Sequence, residues 1–441
     1  MALKDAFGLA YSGATEAGFS SYARAVHELQ CFIGDPVATI DRAIADDHGF
    51  VMAHVFKGYL FGLATERDAT AVARSCHEAA LPLVGATSEQ AHVAALGHLA
   101  GGRWHEAARV LEDIAIDNPL DALALQIGHQ IDFFTGNARM LRDRIGRALP
   151  AWQKSMPGYH AILGMQAFGL EEMGDYARAE SFGRQAIEIE PRDGWAQHAV
   201  AHVMEMQSRQ RDGIAWMRAN PDAWSTDSFL KIHNWWHLAL FHYDLGETDE
   251  VLALYDGPIY GDRSTLALNM VDASAILWRL HLGGIDVGDR WAALAENWAP
   301  KAAAGNYAFN DAHAMMAFVG AGLVAPARTL LEQQREAMRG DDDNAVFTRD
   351  VGHPLTLAIQ AFGAGNYDEV VRLIRPIRSI AHRFGGSHAQ RDVIDLTLIE
   401  AALRAGDRAL ARALAAERRL ARPDSPLSAL FLRRAADLSE N

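Results

Sequence analysis

Apolar and small residues recur at three- and four-residue spacing along almost the whole chain, and no stretch alternates polar with β-branched residues between turn signals. Helices are therefore expected throughout and strands almost nowhere. Two segments show a repeating unit plainly: Gly102 to Ala107, closed by Pro119, and Gly174 to Ala179, closed by Pro191. In each, an apolar helix leads into a glycine that permits a tight turn. An aromatic (Trp104, Tyr176) follows two positions later to pack beneath the turn. A small residue (Ala107, Ala179) five positions after the glycine lets a second helix lie close to the first, and proline stops that helix.

The same ruler finds weaker copies at Gly34, Gly136, Gly246, Gly284, Gly322, Gly365 and Gly406, and two turns without glycine near Arg67 and Asp68 and near Gln207 and Ser208. The steps run from about 33 to 43 residues, so each holds one helix pair. The expected fold is all-α: a tetratricopeptide-like α-α superhelix, or solenoid, of about eleven helix hairpins. A single repeat domain is expected over residues 1–441, least regular at 1–30 and 424–441. The acidic run Arg339 to Asn344 reads as a solvated turn, and the amphipathic segment from Leu427 to Leu438 as a cap on the end of the stack.

Composition changes the picture only at its edges. Half the residues are hydrophobic and 22% are charged, which suits a chain with a large core. The formal net charge of −15 argues against a phosphate backbone or an anionic membrane as partner, so neither nucleic acid nor membrane is expected. No basic start followed by an apolar run is present, and no apolar stretch approaches membrane-spanning length, which reads as a cytoplasmic protein. Cys31 and Cys76 lack metal-knuckle or dithiol spacing and read as buried, inert thiols. No cofactor is required by the sequence, and oligomeric state is left open.

Candidate chemistry follows from which positions face inward. In such an array the first helix of each pair lines the concave surface. Counting back from the turn near Gln207 and Ser208 puts Trp195, His198, His202, Glu205 and Met206 on that face. A core-facing stripe is ordinarily Leu, Ala or Val, so Trp, His, His and Glu point to a ligand, against the plainer reading of histidines bonded to backbone or to Glu205. The next first helix repeats the theme with His233 and Trp236 inward and His237 beside them, while Trp235 reads as packing. Asp272 begins another such segment, and Asn310, Asp311 and His313 a further one, with helix capping the competing role for Asp272 and Asn310. Gly385, Gly386 and Ser387 open a helix carrying His388, Arg391 and Asp392. Exposed N–H groups there suit an anion, with a plain Ser387 cap and an Arg391–Asp392 pair as the alternative.

Four of these segments, HxxxHxxEM at 198–206, HNWWHLAL at 233–240, NDAHAMM at 310–316 and GGSHAQRD at 385–392, resemble in order and spacing the tetratricopeptide repeat protein 38 family. The resemblance runs from about Cys31 to Arg404. It implies a helical repeat protein and no particular reaction. Trp235 and His388 stand where the family pattern has Tyr and Asn, so roles needing those side chains do not carry over.

Two functions compete. In the first, a His-, Trp- and Asp-lined concave pocket binds a small molecule or a peptide, with Trp195, His233, Trp236, Asp272, Asn310 and Asp392 as ligand contacts. In the second, the chain is a hydrolase or lyase whose acid–base groups are His198, His202, Glu205, His237, Asp311, His313, His388 and Arg391. No metal is committed to. If one binds, His198 and His202 at i and i+4 with Glu205 one turn on are the expected ligands.

Overall fold

The structure is a computed structural model and describes residues 3–5, 7–302 and 305–438. Of the ends expected to be least regular, residues 1, 2, 6 and 439–441 lie outside the described residues. Contacts within the chain gather into two compact units. One comprises residues 1–200 and 221–231, the other residues 201–220 and 232–441.

The first unit runs α1 Glu16–Cys31, α2 Pro36–Asp46, α3 Val51–Gly62, α4 Arg67–Ala80, α5 Thr87–Ala100, α6 Trp104–Asp117, α7 Ala122–Phe134, α8 Ala138–Ala148, α9 Tyr159–Glu172, α10 Tyr176–Ile189 and the first half of α11 Gly194–Met206. After α12 Gln210–Ala219, the short α13 Pro221–Ser225 belongs again to the first unit. The second unit continues with α14 Lys231–Asp244, α15 Thr248–Leu254, α16 Ala267–Leu282, α17 Arg290–Ala302, α18 Ala308–Gly320, α19 Val324–Ala337, α20 Asp343–Phe347, α21 His353–Gly363, α22 Tyr367–Ile374, α23 His388–Ala405, α24 Arg408–Ala421 and α25 Pro426–Ala436. Among the described residues these make eleven hairpins, and the chain has the all-α, tetratricopeptide-like helical-repeat fold. Among the described residues the departures toward strand are an isolated bridge between Ile33 and Ser228 and a two-residue ladder pairing Leu3–Lys4 with Ala10–Tyr11. It closes over a turn in which the Asp5 carboxylate accepts from the Phe7 and Leu9 amides.

The turns explain why the ruler works. Each expected glycine turn has its glycine in the left-handed region, and the two turns without glycine are filled by Thr65 at φ 60° and Ser208 at φ 56°. At Gly174 (φ 80°) a Cβ would meet nothing within 4 Å, so backbone conformation alone requires glycine there. Gly169 inside α9 is the opposite case. A Cβ there would fall 2.5 Å from the Leu141 carbonyl of α8, so bare backbone lets the two helices cross closely.

The residue after the turn glycine completes the device. Asp35, Asn137, Asp175, Asn366 and Asp407 each accept an amide N–H from the helix that follows. In the acidic run after Arg339, Asp342 likewise caps α20.

Each unit has its own core. In the first, Phe32, Leu125, Ile145, Trp152, Ile162, Phe168 and Trp195 pack together. In the second, Trp236, Trp278 and Trp298 are essentially inaccessible. The final helix α25 packs on α23 and α24 and buries Phe431, the role expected of an end cap. No helix among the described residues is long and apolar enough to cross a membrane.

Candidate functional site

The second unit gathers its polar interior from α11, α14, α16, α23 and α24. Spacing on α14 puts His233, Trp236 and His237 on one face, and His202 sits one turn before Glu205 on α11. Ring nitrogens of His202, His233 and His237, one from each, lie within 4.8 Å of one another. His237 packs 4.3 Å from His202 and 4.9 Å from His233, centroid to centroid.

Two carboxylates set the rings. His233 Nδ1 lies 3.0 Å from both oxygens of Asp272, and His237 Nδ1 lies 3.1 Å from Glu205 Oε2. An ionised carboxylate only accepts, so Nδ1–H donates in both pairs and the lone pair is left on Nε2. Burial, followed by the neighbouring imidazole of His237, pushes His202 well below the ordinary histidine range. His237 is lowered too, by burial, then His233 and Arg279. Both rings are thus neutral at physiological pH. Trp236 stacks on His233 at 5.4 Å and 14°, and the Arg279 guanidinium lies 5.3 Å from the Trp236 ring.

Glu205 links this group to a second set of charges. Its Oε1 lies 3.5 Å from Arg422, which in turn reaches Asp392 at 4.0 Å. Arg418 donates to both Asp392 oxygens at 2.7 and 3.1 Å. Burial alone would raise the Asp392 carboxyl, but Arg418 and Arg422 outweigh it and hold the group well below the usual carboxylate range. Arg279 donates to the Ala389 carbonyl at 2.8 Å. The cavity among Glu205, Tyr243, Asp244, Arg279, Asp392 and Arg422 measures about 20 Å³, room for one water.

Trp195 and His198 lie in the first unit's part of α11, where Trp195 stacks on Phe32 (5.4 Å, 14°) and His198 on Phe168 (5.3 Å, 29°). Asn310 stands inside α18 and Asp272 inside α16, so neither is a helix cap. Asp311 accepts from Gln334 at 3.3 Å, and burial pushes its pKa up to about 7. His313 donates from Nδ1 to the Phe309 carbonyl at 2.8 Å, and burial lowers its pKa to about 4. Ser387 is the cap of α23, in a reciprocal pair with Gln390. Arg391 bonds the Gly386 carbonyl, and Asp392 pairs with Arg418 and Arg422. His388 is exposed and close enough to influence His202 electrostatically.

Arg279, Arg418 and Arg422 escaped the sequence reading as site residues. Arg279 had a signal, since it interrupts the apolar run of α16 and is buried.

No protein-family model matches the chain. Among solved structures, a human IFIT1 dimer with PPP-AAAA and a human IFIT1 dimer with m7Gppp-AAAA are similar over 100% of this chain and 96% of theirs, at 13% identity and TM-scores of 0.42 and 0.43. At that distance the likeness assigns no ligand to this chain. It does correct the exclusion of nucleic acid, because both structures hold an oligonucleotide. The exclusion rested on a net charge averaged over the whole chain, and a phosphate meets only the cations nearby. Arg279, Arg418 and Arg422 show that cations can gather locally in a chain of net charge −15.

Proposed function

We propose that this helical-repeat protein binds its ligand through a divalent metal held by His202, His233 and His237 in the second unit. The observation that carries the reading is the convergence of three imidazole nitrogens within 4.8 Å, two of the rings anchored by Asp272 and Glu205 through Nδ1. Metal-binding histidines are ordinarily held this way, because a carboxylate on the far nitrogen fixes the tautomer and strengthens the donor. Neutral imidazole is also the form that binds, and burial keeps His202 and His237 in it. Three protein ligands leave a coordination position for one more donor. The four ordered motifs support membership of the tetratricopeptide repeat protein 38 family, with this centre built from the first two of them, on α11 and α14, together with Asp272 of α16.

A hydrolase or lyase reading is favoured by one observation, the exposed His388 near His202. A metal-bound water would supply the nucleophile, and His388 would move the proton.

Zinc titration of the metal-stripped chain by calorimetry tests the site. The His202→Ala/His237→Ala double variant is expected to lose at least about 100-fold in affinity at one site, since two of three direct ligands are gone. Unchanged zinc binding by a double variant that keeps its helical circular dichroism would refute the proposal.

A further inference from the structure

The first unit carries a second cluster that no part of this reading uses. His27 and Cys31 lie one turn apart at the end of α1, and His160 stands at the start of α9. Cys31 Sγ is 3.9 Å from His27 Nδ1 and 4.0 Å from His160 Nε2. A tetrahedral zinc, with its Zn–S bond near 2.3 Å and Zn–N near 2.0 Å, needs sulfur and nitrogen about 3.5 Å apart. The observed spacings differ from that by a few tenths of an ångström.

His160 is oriented from behind. Its Nδ1 donates to Asp193 Oδ2 at 2.8 Å, which turns Nε2 toward the sulfur. Asp193 is itself fixed, because its other oxygen accepts the Ala196 amide at 2.9 Å and so caps α11. The field also suits a cation. Cys31 is the last residue of α1, where the helix presents the negative end of its dipole, and the Asp193 carboxylate stands directly behind His160. Cys31 is wholly buried while the His27 ring is exposed, so an ion reaches the sulfur past His27.

We infer that His27, Cys31 and His160 form a zinc-class metal site, with Asp193 as the positioning residue and a fourth coordination position open to water. On binding, the Cys31 S–H bond breaks, a sulfur–metal bond forms and the proton leaves to solvent, with no change of oxidation state. The separate histidine centre of the second unit contains no thiol, and this gives the test its selectivity.

Cobalt(II) titration of the metal-stripped full chain reads the site directly, since only a thiolate ligand produces an intense near-ultraviolet charge-transfer band. One equivalent of cobalt is expected to develop that band. Cys31→Ser abolishes it, Cys76→Ser leaves it intact, and Asp193→Asn weakens cobalt binding at this site about 10- to 100-fold. His202→Ala/His237→Ala keeps the band, so failure of the second-unit centre would be seen apart from failure here. No band at saturating cobalt in a folded chain, or a band that survives Cys31→Ser, would overturn the inference.

Discussion

His92 in the first unit and His237 in the second are both buried and both lean on a buried carboxylate, yet their surroundings give them different roles. His92 Nε2 meets Asp121 at 3.0 Å, and its Nδ1 lies 3.1 Å from the Tyr59 hydroxyl. That hydroxyl also donates to the His92 carbonyl at 2.9 Å, and the second Asp121 oxygen caps α7. Every polar atom of the group is consumed by the fold. His237 is held by Glu205 in the same manner, but a ring nitrogen lies within reach of two more imidazoles. The carboxylate therefore does not separate a structural histidine from a ligand. What faces the other nitrogen does.

Asp311 sharpens the comparison from the acid's side, because its carboxyl accepts from an amide, Gln334, where Asp121, Asp272 and Glu205 each face an imidazole. Its pKa stands near 7 in the folded chain against 3.8 for the free group. A raised folded pKa means that the protonated form is favoured by folding, so this contribution is present at low pH and lost as pH rises from about 4 to 7. At about 1.36 kcal/mol per unit, the loss is at most about 4 kcal/mol. Asp311→Asn, which does not titrate, is expected to gain stability relative to wild type between pH 5 and pH 8. Urea unfolding at the two pH values decides it, and equal pH slopes for the two proteins would count against a buried neutral acid.

How much of this was legible in the sequence follows from how local each feature is. Glycine and the Asp or Asn after it carry the turn and the next helix cap within a few residues, so the hairpins could be located by ruler. Thr65 and Ser208 adopt the same backbone without that signal, and spacing alone found them. The face bearing His233, Trp236 and His237 was also legible, being one helix. The arginines were not, because the partner of Asp392 is chosen by how α24 packs on α23. Local spacing suggested Arg391, and tertiary structure supplied Arg418 and Arg422. Cys31 read as inert because its second histidine neighbour is 129 residues away.

Removing the anchoring carboxylates tests the distinction between the two kinds of pair. Asp272→Asn keeps the shape beside His233 but removes the charge and lets the imidazole choose either tautomer. Zinc affinity at the second-unit centre is expected to fall about 10- to 100-fold, with little change in the stability of the stripped chain. Asp121→Asn makes the same change beside His92 and is expected to leave zinc binding untouched. Equal weakening by both variants in calorimetry would show that the effect is general and would erase the distinction.

The smallest expected effect belongs to His92→Ala. The substitution takes away the imidazole but not the backbone carbonyl that accepts from Tyr59, and Asp121 Oδ1 still caps α7 through the Ala124 amide. What is left is a buried carboxylate without its imidazole partner, together with a void the size of the ring. A buried acceptor stripped of its partner costs about 1–3 kcal/mol, and the surviving cap keeps this case near the low end. Chemical denaturation should register that loss while zinc titration stays at the wild-type value. If His92→Ala instead weakened zinc binding as strongly as Asp272→Asn, the occupied second nitrogen would no longer mark a histidine as structural.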